Sequence, residues 1–102
     1  MKKMIDIDAS SFYQSGFRRL TWAITDQNDN GTMYSDQHES VSNQEDPHDA
    51  MGDHIDHISM AIRPNDLMDY ELTLLFGDDI EEEKKQQFTE LINEYNTRDE
   101  PS

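Results

Sequence analysis

The chain has no cysteine, so disulfides and thiolate metal ligands are excluded outright. Glycine occurs only four times in 102 residues, and no glycine-rich phosphate loop is among them. No apolar run approaches the length of a membrane span. The start, Met1-Lys2-Lys3-Met4-Ile5-Asp6-Ile7-Asp8, has bases but lacks the apolar stretch of a secretory signal. No Ser/His/Asp set stands out from the composition, and with no thiol nucleophile either, no enzyme is expected. These absences together lead to the expectation of a cytoplasmic protein with no membrane contact and no cofactor.

Positive charge is the next scarcity. Eight Lys and Arg stand against 23 Asp and Glu, a formal net charge of −15. The imbalance is uneven along the chain. Residues 1–25 hold four bases and two acids, whereas residues 26–62 hold nine acids and not one Lys or Arg. The remaining 40 residues carry twelve acids and four bases. Such a surplus repels itself, raises solubility and steers cationic partners inward. Ordinary surfaces intersperse both signs.

What is present fits one small core. Leu20, Trp22 and Ile24 alternate with Thr21, Ala23 and Thr25, the two-residue period of a half-buried strand. Asp26 to Gly31 is a cluster of turn formers ending in Asn-Gly, and Thr32–Ser35 is read as the returning strand of a hairpin. Residues 36–45 are polar and unpatterned and are expected to form a loop. Asp46-Pro47 predicts a helix start, with an N-capping acid before proline at the first helical position. Met51, Ile55, Ile58 and Ile62 then recur at helical spacing up to Arg63-Pro64, which ends the run.

A third strand is expected where Tyr70, Leu72, Leu74 and Phe76 alternate with Glu71, Thr73 and Leu75. A final helix carries Ile80, Phe88, Leu91, Ile92 and Tyr95 on one stripe, with three glutamates in its first turn. Trp22 and the aromatics Tyr70, Phe76, Phe88 and Tyr95 are assigned to the core. Ile5 and Ile7 suit a short edge strand, and Ser11-Phe12-Tyr13 a helical turn. The expected fold is α+β: a hairpin plus a third strand in a small antiparallel or mixed sheet, packed by two amphipathic helices. One domain spans residues 1–96, and residues 97–102 read as a disordered tail.

The acids fall into lines. At about 100° per residue, Asp53 and Asp56 lie within about 40° of Asp49, opposite the apolar stripe of their helix. Their axial spacings are ~6 Å and ~4.5 Å. On the last helix Glu83, Glu90 and Glu94 form a comparable line. A helix that is merely soluble carries partners of opposite sign at i, i+4, and the first of these helices has none.

By size, acidity and compact α+β form over its whole length, the chain resembles the small acidic proteins of phages and mobile elements that imitate DNA. Such proteins share no sequence motif, so the resemblance assigns no residue. It implies an inhibitor that binds and blocks the DNA-binding surface of a host protein, in the host cytoplasm if the chain is phage-encoded. The target would be a basic nucleoid protein of the HU type or a restriction, CRISPR, repair or transcription protein. The chain would not bind nucleic acid itself, and a homodimer is left open. The partner-binding residues are then Asp49, Asp53, Asp56, Glu83, Glu90 and Glu94. The alternative is an acidic immunity or adaptor protein that holds another basic partner, such as a toxin.

Three further patterns compete with this one. Residues 26–37 nearly spell an EF-hand calcium loop, with oxygen ligands at places one, three and five and glycine at six. The twelfth place is the neutral Gln37 and the flanks lack helix periodicity, so a hairpin explains the same residues. His48, Asp49, Asp53, His54 and His57 form a His/carboxylate group in which His54 and His57 are helix neighbours. No further positioned ligand is evident for zinc, and no metal is assigned. Arg18-Arg19 beside Phe17 is too small a basic patch to draw nucleic acid against the overall charge.

Overall fold

The alternation of Ile5 and Ile7 with Met4, Asp6 and Asp8 forms an interior strand of the sheet, not the edge strand expected from the sequence. The computed structural model describes residues 2–27 and 33–96. In it β1 (Lys2–Asp8) pairs antiparallel with β2 (Arg19–Gln27) and parallel with β4 (Glu71–Leu75). With neighbours on both sides, Ile5 and Ile7 lose all solvent contact. A fully buried aliphatic side chain contributes about 1.5–3 kcal/mol, which suits a central position.

β3 (Met33–Val41) pairs antiparallel with β2 and completes the order β3-β2-β1-β4. The fold is thus α+β with a mixed four-stranded sheet. The loop expected at 36–45 is confined to residues 42–45, because residues 36–41 continue the returning strand. Its alternation is hidden because an edge strand buries little. Ser35 to Glu39 are all exposed, and only Ser40 is buried, accepting a 2.9 Å hydrogen bond from Trp22 Nε1. The tail at 97–102 and the hairpin tip at 28–32 lie outside the described residues.

Three helices cover one face of the sheet. α1 (Ala9–Gln14) is capped by Asp8, whose side chain accepts from the Ser10 amide at 3.0 Å. α2 (Pro47–Ala61) begins as the sequence predicts: Asp46 has an extended backbone, and its carboxylate accepts from the Asp49 amide at 3.0 Å. α3 (Glu82–Asn96) starts two residues after Ile80, which is buried in the preceding turn, so two glutamates and not three occupy the first turn.

Ile5, Ile7, Leu20 and Trp22 from the sheet meet Phe12 of α1, Met51, Ile55 and Ile58 of α2, and Phe88, Leu91 and Ile92 of α3 in one core. The opposite face of the sheet carries Ser35, Gln37, Glu39, Glu71 and Leu75 exposed. Among the described residues, no helix is long and apolar enough to cross a membrane.

Candidate functional site: an acidic face on two helices

α2 and α3 share one core, and at Gly52 the absence of a side chain on α2 leaves room for Tyr95 of α3. A Cβ on Gly52 would stand 2.9 Å from the Tyr95 hydroxyl. Without it, Tyr95 reaches over α2 and donates to the His48 carbonyl at 3.0 Å. Beside this contact His48 Nε2 lies 2.8 Å from Glu94 Oε1, with both side chains about half exposed. The hydrogen bond and charge of Glu94 raise the His48 pKa above its ordinary value, helped by Asp46 and Asp49. The acidic lines of the two helices therefore meet at His48.

The predicted residues sit as follows. Asp49 and Asp56 are exposed on α2, and Asp49 also falls in its first turn, where an anion suits the helix dipole. Asp53 is only half-exposed, since Ser42 Oγ donates to its carboxylate at 2.7 Å. Ser42 is itself buried and anchored, its amide donating to the Arg18 carbonyl at 2.7 Å. Asp53 thus joins α2 to the end of β3 as well as adding charge to the row. Glu83, Glu90 and Glu94 are exposed on α3. The bases of that helix lie off this line: Lys85 pairs with Glu82 at 3.3 Å, and Lys84 rests 5.4 Å from the Tyr13 ring.

The histidines part company. His54, grouped in the sequence with His57 as a surface pair, is fully buried, whereas His57 is exposed. A carbonyl only accepts, so His54 Nε2 carries a proton and donates it to Phe17 O at 2.9 Å. His54 Nδ1 is buried without a partner. Burial pushes the His54 pKa below its ordinary value, against the bond to Phe17 and the nearby Asp53. The two histidines do not share a metal site. The group brought together instead is Asp46, His48 and Asp49, all exposed, with candidate ligand atoms within 4.8 Å of one another. Two of the three are already engaged, the Asp46 carboxylate as the helix cap and His48 in the interhelical ion pair.

The calcium-loop pattern fares no better. Strands, not helices, flank residues 28–32. Asp26 pairs with Tyr34 and Gln37 with Ala23. Its first and twelfth places are therefore about 10 Å apart along the hairpin, at ~3.4 Å per residue. The Arg18-Arg19 corner is exposed, and Arg19 Nε lies 3.5 Å from Glu39 Oε1.

Sequence reasoning missed the aromatic centre. Phe12 packs against Phe17, His54 and Phe88 with ring centroids 5.1, 5.9 and 5.5 Å away. Phe17 has a φ of 73°, a left-handed conformation rare for a side chain of its size, following Gly16 at 66°. The His54 bond to its carbonyl holds this turn. The position of His54, about 60° from Met51 around α2, is the available signal.

No family model, curated protein or solved structure matches this chain.

Proposed function

We propose that the chain is a non-enzymatic DNA mimic that occupies the basic DNA-binding surface of another protein and excludes DNA from it. The observation that carries this reading is the convergence of two acidic rows on neighbouring helices, one of which, α2, has no Lys or Arg. The α2 row places three carboxylates over about 10 Å of helix and the α3 row three over about 16 Å, each sparser than the one charge per ~1.7 Å of duplex DNA. The imitation is coarse, yet each carboxylate can accept from a Lys or Arg that otherwise grips a phosphate.

The compact core makes the face pre-organised. The Asp46 cap, the Ser42–Asp53 bond and the Tyr95–His48 bond fix three points of α2 before any partner arrives. Pre-organised charge loses little on binding and speeds association through long-range steering.

The test is displacement of labelled duplex DNA from a panel of purified basic DNA-binding proteins, beginning with an HU-type nucleoid protein. Fluorescence anisotropy reads the DNA released as this protein is added. Release from at least one member, weakening as salt rises, is the expected result. Failure to displace DNA from any of them at low salt would count against the reading.

A further inference from the structure

β3 is an unusual edge. It is nine residues long and pairs one-to-one with β2 from Arg19↔Val41 to Gln27↔Met33, with no bulge. It contains no Pro or Lys, two of the usual means by which proteins blunt an open strand. Among the described residues no strand lies beyond it, so one row of its backbone N–H and C=O groups faces outward. The opposite edge, β4, is only five residues long.

The one protection β3 has is charge of a single sign. Asp36 and Glu39 are exposed on it, and no Lys or Arg occurs between residues 26 and 62. Glu39 leans on Arg19 of β2, whereas no ion pair reaches Asp36 among the described residues. Negative charge repels a second copy of a chain with net charge −15 and admits a strand bearing Lys or Arg. The edge thus discriminates by sign.

We infer that the outer edge of β3 is a docking strand, to which an extended Lys- or Arg-bearing segment of the partner protein adds in β-augmentation. This rests on the reading of a basic partner and names the element of the partner that is held. Main-chain hydrogen bonds supply affinity in such pairing, and alternate side chains supply selectivity. The acidic helix face and the β3 edge then engage one cationic protein through two different kinds of contact.

The probe is an acetylated, amidated peptide of five Lys-Thr repeats, compared with its fully N-methylated analogue of equal charge and no backbone N–H. Amide hydrogen exchange of the whole protein is followed by NMR at low salt. The peptide is expected to slow alternate amides between Ser35 and Glu39 at least tenfold, and the methylated analogue to leave them unchanged. Equal slowing with both, or slowing confined to α2 and α3, overturns strand addition while leaving the acidic-face reading standing. Binding by neither overturns both. Slowing that appears without peptide and grows with protein concentration shows a second copy on the edge, and overturns the inference.

Discussion

His48 and Glu94 face each other across α2 and α3, with Nε2 2.8 Å from Oε1, at the point where two rows of acids converge. Within the proposed docking face, the imidazole is the counter-charge that the acids share. Its state depends on pH, because Glu94 first, and then Asp46 and Asp49, favour the protonated imidazole. The folded pKa is raised above the unfolded value, so this contribution to stability is fully present below about 6.5 and is lost as pH rises through the folded pKa. Glu94→Gln is expected to lower the His48 titration midpoint toward that of an unperturbed histidine, read from the imidazole proton shifts by NMR. An unchanged midpoint would mean that Glu94 does not hold His48 in solution.

His54 has the opposite sign. Burial lowers its folded pKa, so the unfolded chain binds the proton first as pH falls below about 6.5, and stability declines from there down to the folded pKa. Asp53 and His57 are the nearby charges that modulate it. His54→Leu removes the donor to Phe17 O and leaves that carbonyl without its partner, at a cost of about 1–3 kcal/mol. In exchange the decline just below pH 6.5 should flatten. Urea melts of both proteins across pH 5–7.5 provide the measurement, and an equally steep decline in the variant would assign the titration to another group.

Gly52 and Tyr95 form a pair whose substitutions should not add. Tyr95→Phe loses the hydroxyl bond to His48 O and is expected to cost about 1 kcal/mol. Gly52→Ala places a methyl 2.9 Å from that hydroxyl, a contact that must be relieved by moving Tyr95. With phenylalanine at 95 the obstacle is gone, and alanine should then stabilise α2 by up to about 1 kcal/mol through its helix propensity. A double-mutant cycle by thermal or urea unfolding measures this coupling. Independent effects would show that the helices do not approach as closely as described.

Much of the architecture is legible because burial leaves a period in the sequence. Trp22 and its neighbours mark β2, and Asp46-Pro47 with Met51, Ile55 and Ile58 marks α2 to within a residue. β3 runs six residues past the strand its pattern predicts, because from Asp36 to Val41 every side chain but Ser40 is exposed and no apolar alternation records the pleat. The interior place of β1 rests on its parallel pairing with β4, from Met4↔Glu71 to Asp8↔Leu75, and contacts so distant in sequence leave no local mark. The acidic rows are legible from helical angles alone. The second role of Asp53, the partner of Glu94 and the burial of His54 are not, since each depends on which element packs alongside.

The most direct measurement compares two triple variants in the DNA-displacement assay. Asp49→Asn, Asp53→Asn and Asp56→Asn together remove three charges from the α2 row. The amide oxygen introduced by Asp53→Asn can still accept from Ser42 Oγ, so the fold should hold or gain slightly as like charges at i, i+4 are relieved. Asp78→Asn, Glu81→Gln and Asp99→Asn remove three charges elsewhere, the last outside the described residues. The expected result is at least tenfold weaker displacement by the α2 variant, with slower association and a shallower salt dependence, while the control stays within about threefold of the parent. Equal potency of the two variants, whether both strong or both weak, would contradict the claim that the α2 row is the docking surface.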